Sequence, residues 1–219
     1  MENGFRMKAT TETASALYDS SYDDKTDFVE RRVLSPMRKS LFEQAGELHG
    51  IAVDLATSTG KGLSLYQGHD CKVIGIDLSQ PALNAARLKA TFMGLDFVPM
   101  TANVAQTPLP SHSVDVVSCQ LGFCTFEDPE VVVQEVLRVA KPYAKILLLE
   151  HQKPANLLGR AFVRLIARRA QKALGCDPTR ETLNMFDRAG FMVESDHSRF
   201  GGMIHAMVLR APTNRTYSR

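Results

Sequence analysis

The sequence predicts an α/β protein: a doubly wound, mostly parallel sheet of seven strands, with helices on both faces and an antiparallel strand pair at its C-terminal end. Three observations lead there. Short apolar runs alternate with helical patterns as far as residue 150, as parallel strands joined by crossover helices do. Two early strands, 50–55 and 72–77, carry the acids Asp54 and Asp77 at their C-terminal ends, and the first breaks into a small-residue turn. Gly201-Gly202 separates the last two apolar stretches, as a hairpin turn does.

Taken in order, 13–46 reads as helix, because Phe28, Val29, Val33, Met37, Leu41 and Phe42 recur at helical spacing. A helix is expected from Gly60 toward Gln67, after the first strand. Beyond the second strand, Ser79 caps a helix that tolerates Pro81 in its first turn and stops at Gly94. A short strand at 97–99 and a buried one at 114–119 follow, separated by the turn around Pro108 and Pro110. Asp128-Pro129 opens a helix to about Ala140, and Lys141-Pro142 stops it. The apolar run 145–150 has the character of a central parallel strand. Helices at 155–175 and 178–189 form an insert (154–189), and strands at 191–199 and 203–210 complete the chain. One domain, 13–211, is expected, with a flexible N-terminus (1–12) and a flexible tail (212–219).

Composition narrows the function classes. At 219 residues the chain can bury a full core, and 44% hydrophobic with 23% charged residues is ordinary for a globular protein. A net charge of +2 gives no reason to expect nucleic acid as a partner. No apolar run approaches the roughly 18 residues of a membrane span, and no signal peptide is evident, so a cytoplasmic location is expected. Cys71, Cys119, Cys124 and Cys176 form no CxxC pair and fall on separate predicted elements. Free, packed thiols and no metal are therefore expected.

A strand, a tight turn and a second strand ending in an acid make half of a nucleotide-binding unit. Turn amides can meet an anionic group, and the second acid can accept hydrogen bonds from ribose hydroxyls.

Several motifs in order carry a more specific resemblance. Asp54-Leu55-Ala56-Thr57-Ser58-Thr59-Gly60, Asp77-Leu78, Asn103-Val104-Ala105-Gln106-Thr107-Pro108-Leu109-Pro110, Gln120-Leu121-Gly122-Phe123-Cys124, Glu135-Val136-Leu137-Arg138-Val139 and Glu150-His151 together resemble the class I S-adenosylmethionine-dependent methyltransferases. Within them the chain is similar to a small-molecule and lipid branch that includes phosphatidylethanolamine N-methyltransferases, thiol methyltransferases and, more distantly, quinone-biosynthesis methyltransferases. The resemblance implies S-adenosylmethionine as cofactor, S-adenosylhomocysteine as product, and no metal. It places Asp54 and the turn residues Ala56, Thr57, Ser58 and Gly60 at the cofactor's methionine end. Asp77 falls at the ribose with Leu78 beside it, Asn103 and Val104 at the adenine edge, and Gln120 on the methyl side. Tyr18 is implied as part of an N-terminal cover. Where Ala56 and Ser58 stand the family carries glycine, so crowding of the methionine end is expected.

Other residues admit two readings. His151 follows a strand end and could act as a general base, or could bond a loop carbonyl. Glu150, its neighbour on the strand, should point to the opposite face. The helix 156–174 sets Leu157, Leu158, Ala161, Phe162, Leu165 and Ile166 on one face and Arg160, Arg164, Arg168 and Lys172 on another. It reads as a lid packed over the pocket or as a peripheral membrane contact. The expected chemistry is in-line methyl transfer to a small apolar or lipid-like acceptor (thiol, amine or quinol), with Leu121, Phe123, Phe126, Leu157 and Phe162 near its mouth. A monomer or homodimer is expected. The alternative is a degenerate fold that serves as a binding or regulatory module. A nicotinamide dehydrogenase would want a G-x-G-x-x-G turn, where this chain has only Gly60 and Gly62.

Overall fold

The computed structural model describes residues 29–154 and 156–213. The expectations for 1–28, Tyr18 among them, and for 214–219 lie outside the described residues.

Seven strands form one sheet: β1 (His49–Leu55), β2 (Asp70–Asp77), β3 (Phe97–Thr101), β4 (Val114–Gln120), β5 (Ala140–His151), β6 (Met192–Arg199) and β7 (Ile204–Arg210). Their order is β3-β2-β1-β4-β5-β7-β6. β1 to β5 are parallel, and β7 runs antiparallel between β5 and β6. The direction of winding reverses between β1 and β4, so a crevice opens beyond the C-terminal ends of those two strands.

The helices are α1 (Ser35–Ala45), α2 (Gln80–Met93), α3 (Pro129–Val139), α4 (Leu157–Leu174) and α5 (Thr182–Arg188). A π-helical turn, Glu30–Leu34, runs directly into α1. The predicted caps are present: the Ser79 hydroxyl accepts from the Ala82 amide, and Asp128 accepts from the Val131 amide. Gly94 closes α2 in the left-handed conformation. The helix expected after Gly60 is only a 3-10 turn, Leu63–Tyr66. Gly60, at φ +76°, cannot start an α-helix, and Gly68, at φ +83°, ends the segment within two turns. The fifth strand begins earlier than expected, at Ala140, because Tyr143 at φ 62° and a register shift between Val114 and Val116 let Pro142 pass without breaking the sheet.

Alternation along the central strands builds two cores. Ala52, Val73, Val116, Leu147, Leu149 and Val208 face α1, α2 and Tyr66. Val53, Leu55, Val117, Ile146, Leu148 and Leu209 face α3 and Phe186 of α5. Along β5 the alternation is strict: residues 146 and 148 lie in one core, 147 and 149 in the other.

Candidate active site

The turn after β1 keeps the backbone that glycines would adopt, although it carries side chains. Ala56 has φ 54° and Ser58 φ 51°. The loop has not shifted to accommodate the two side chains; it accepts left-handed conformations that cost L-residues about 1–2 kcal/mol each. Three bonds hold it there. The Thr57 hydroxyl donates to the Asp54 carbonyl at 2.7 Å, the Thr57 amide to the Ile76 carbonyl at 3.1 Å, and the Gly60 amide to the Thr57 carbonyl at 3.0 Å. Ala56→Gly and Ser58→Gly are each expected to raise stability by about 0.5–1 kcal/mol, the relieved strain less the added unfolded-state entropy. Thermal unfolding of the two variants against the parent measures it.

Asp77 organises this turn. Its Oδ2 accepts the Ser58 amide at 2.9 Å and its Oδ1 the Ser79 amide at 2.8 Å. The Leu78 amide is a third donor to this carboxylate, and the acceptor capacity that the three amides leave is what a ribose hydroxyl could use. Burial raises the Asp77 pKa, and the Ser79 and Ser58 amides work against that rise. Leu78, beside it, is 43% exposed, an apolar side chain with no core to enter. The Asp77 carbonyl also accepts from the Ala102 amide, which docks the Asn103–Val104 loop next to the same strand end. Asn103 is exposed and its Oδ1 accepts the Ala105 amide at 2.9 Å, while Val104 is buried and anchors the loop.

Asp54 is placed differently from a residue that grips a ligand directly. Its carboxylate is buried inside the fold, where it accepts from the Ser118 hydroxyl; the Tyr66 hydroxyl in turn donates to Ser118 at 2.7 Å. Burial pushes the Asp54 pKa up to about 6, opposed by Ser118, Thr57 and the charge of Arg38. Asp54 thus acts on the crevice through the turn it supports.

Gln120, at the end of β4, folds against Gly62, where an added Cβ would collide with its Nε2. Its Oε1 is buried and has no hydrogen-bond partner among the described residues. A Cβ on Gly60 would strike Leu63 at 2.7 Å. A close-backed turn, a strand-end carboxylate and an unsatisfied buried amide oxygen fit a nucleoside ligand with a polar, amine-bearing end.

Three departures from expectation stand out. Phe123 is fully buried and stacks edge-on with Phe126 and Phe186 at 5.1 and 5.2 Å, so it belongs to the core and not to the mouth. The lid reading of α4 does not hold among the described residues: Leu157, Leu158 and Leu165 are 81%, 85% and 77% exposed, and Val163 is the position that packs inward. The cysteines are not all remote from one another. Cys124, from the loop after β4, and Cys176, just past α4, meet His151, with 3.5 Å between Cys176 Sγ and His151 Nδ1. Sequence spacing gave no sign of this, because the three sit on separate elements.

That meeting alters His151. Burial alone would lower its pKa, but the Cys176 hydrogen bond and the nearby negative charges raise it. An imidazole that holds its proton further up the pH scale is less often in the free-base form at neutral pH, and so less available to take a proton. Glu150 points the other way, as expected, and its importance was not legible. Its Oε1 accepts the Gly122 and Phe123 amides at 2.7 and 3.0 Å, which ties the loop after β4 to β5. A hollow of about 690 Å³ beside Tyr66, His69, Cys71 and Leu95 lies near the N-terminal ends of β1 and β2, away from all these groups.

Residues 53–148 match the methyltransferase domain family. The chain is 27% identical over 210 residues to the ubiquinone/menaquinone biosynthesis C-methyltransferase of Saccharophagus degradans, covering 84% of each chain. It is 26% identical over 211 residues to the demethylmenaquinone methyltransferase of Lactococcus lactis, covering 84% of this chain and 83% of that one. The chain carries a methyltransferase domain of the class I S-adenosylmethionine-dependent kind. Solved structures agree on the fold. An S-adenosylmethionine-dependent methyltransferase from Aquifex aeolicus superposes with TM-score 0.62 at 21% identity, covering 93% of this methyltransferase and 99% of that chain. Geranyl diphosphate C-methyltransferase from Streptomyces coelicolor superposes with TM-score 0.68 at 14% identity, covering 90% and 85%. The methyltransferase therefore carries out S-adenosylmethionine-dependent methyl transfer, and no helix of its described residues is long and apolar enough to cross a membrane.

Proposed function

We propose that the methyl acceptor is a lipophilic quinol-type ring, methylated at carbon or oxygen, and that the crevice beyond β1, β2 and β4 holds the cofactor. Similarity over 84% of both chains to a protein named for quinone-biosynthesis C-methylation carries the acceptor reading. Bound S-adenosylmethionine supplies an activated methyl on a sulfonium and leaves as S-adenosylhomocysteine.

The chain's own groups bind and orient. Asp77 accepts from the ribose through the acceptor capacity that the Ser58, Ser79 and Leu78 amides leave open. Leu78 covers one face of the adenine, and the Asn103–Val104 loop borders its edge. Ala56, Thr57, Ser58 and Gly60 form the turn against the methionine end, and the Gln120 Oε1 accepts from the cofactor's amino group. Much of the rate then comes from alignment in a dry pocket. A reduced ring is electron-rich enough to attack a sulfonium methyl, and an oxidised quinone is not.

The exposed apolar face of α4, with Arg164 and Arg168 on its flank, suits a peripheral contact with an anionic membrane that stores such an acceptor. The test is an acceptor panel with S-adenosylmethionine: prenylated hydroquinones, the matching oxidised quinones, alkyl thiols and phosphatidylethanolamine, each free and in anionic vesicles. Methylation of the hydroquinones alone, faster in vesicles, is the expected result. Methylation of the thiol or the amine in their place would overturn the acceptor assignment.

A further inference from the structure

Cys124, His151 and Cys176 make a cluster that the methyl-transfer reading does not use. Their ligand atoms, two Sγ and a ring nitrogen, all lie within 4.8 Å of one another. Cys124 and Cys176 are 2% and 7% exposed. The backbone around them is fixed independently of the side chains. The Asp177 amide donates to the Cys124 carbonyl at 2.8 Å, which joins the end of the α4 segment to the loop after β4. Thr179 holds the Asp177 carboxylate through its amide and hydroxyl at 3.0 and 2.6 Å. On the other side, Glu150 tethers Gly122 and Phe123, immediately before Cys124. His151 is fixed as the last residue of β5.

We propose that these three side chains bind one thiophilic divalent ion of the zinc type, through two thiolates and the imidazole Nδ1. Zn–S bonds of about 2.3 Å and a Zn–N bond of about 2.05 Å at a tetrahedral angle put sulfur and nitrogen about 3.5–3.6 Å apart. The Cys176–His151 separation is 3.5 Å, so that edge of the tetrahedron is already formed. Two sulfurs and one nitrogen select zinc or a similarly soft ion over magnesium or calcium, which take oxygen ligands. Two thiolates neutralise a divalent charge, which suits a site closed from solvent. Three protein ligands leave the fourth position for water or another external ligand. The ion would staple three separate segments together: the loop after β4, the end of β5 and the residue run that returns from α4.

The experiment uses the full chain, reduced, stripped with a chelator and titrated without oxygen with Co(II), then with Zn(II). One equivalent of Co(II) should bind, with thiolate-to-cobalt charge-transfer absorption and the intense visible bands of a tetrahedral ion, and Zn(II) should displace it. Cys124→Ser and Cys176→Ser should each weaken binding by at least about 100-fold and diminish the charge-transfer band, and His151→Ala by about 10–100-fold with that band retained. Cys71→Ser should bind as the parent does. Far-UV circular dichroism checks that every variant is folded. A reduced, folded parent protein with no charge-transfer absorption overturns the proposal, as does a spectrum unchanged in the Cys124→Ser/Cys176→Ser double variant. A Cys124–Cys176 disulfide formed in air by a protein that binds no metal when reduced would overturn it too, and would mark the pair as a redox couple instead.

Discussion

Replacing Asp77 with alanine is expected to weaken binding of S-adenosylmethionine and S-adenosylhomocysteine by about 100-fold or more. A hydrogen bond to an ionised carboxylate is worth about 1.5–3 kcal/mol, and two ribose hydroxyls would make two of them. The substitution also removes the acceptors for the Ser58 and Ser79 amides, so the turn that carries Ala56 and Ser58 in left-handed conformations loses a restraint. Asp77→Asn keeps one acceptor oxygen, which cannot serve both amides and both hydroxyls, so this variant should fall between the parent and the alanine variant. Titration calorimetry with S-adenosylhomocysteine and its 2′-deoxy analogue separates ligand contact from loop support. Loss of the hydroxyl should cost the parent more than it costs Asp77→Asn. Equal costs in both proteins would mean that Asp77 does not touch the ribose.

The second large effect concerns Glu150. Glu150→Ala should lower stability by about 3–5 kcal/mol, because the buried Gly122 and Phe123 amides lose their shared acceptor and a cavity is left behind. Glu150→Gln keeps an acceptor oxygen and should cost far less. Burial pushes the Glu150 pKa up to about 7, opposed by the Phe123 amide, the charge of His151 and the Gly122 amide. A carboxyl group raised in the folded state stabilises most below its unfolded pKa, and that contribution is lost as pH rises through the folded value. From about 4.5 unfolded to about 7 folded, the loss is about 3 kcal/mol. Asp54, pushed up to about 6, adds in the same direction, whereas Glu135 and Asp115, whose pKa values are lowered, contribute stability at higher pH. Denaturant unfolding of the parent and of Glu150→Gln at about pH 5 and about pH 8 isolates the contribution of Glu150. Their stability difference should move toward the glutamine variant as pH rises. A pH-independent difference would show that Glu150 is ionised throughout.

Much of this protein was written locally in its sequence. The capping serine and aspartate at Ser79 and Asp128, the stop at Gly94 and the hairpin at Gly201-Gly202 each act within a few residues, and each is present in the fold. Periodicity distinguished buried parallel strands from amphipathic helices, and that alternation is enough to imply a doubly wound sheet. Because a doubly wound sheet has its crevice beyond the strand ends, the positions of Asp77 and of the turn at Ala56 and Ser58 could be read along with it.

Other features depended on which segments pack together. That β7 enters between β5 and β6 is a matter of register and sheet edges, which the two strands' own residues leave open. Phe123 reads as an exposed aromatic in a loop, yet it is drawn into a stack with Phe126 and Phe186 from a distant helix. Asp54 and Glu150 are both acids at strand ends, and only burial and neighbours decide that one supports a turn and the other fastens a loop. The sequence by itself determined most of the elements, their class of sheet and the acid at the end of β2, because those follow from periods of two and 3.6 and from short-range caps. Only the tertiary structure brought Cys124, His151 and Cys176 within 4.8 Å of one another, because contacts between residues on separate elements are set by packing and leave no trace in local spacing.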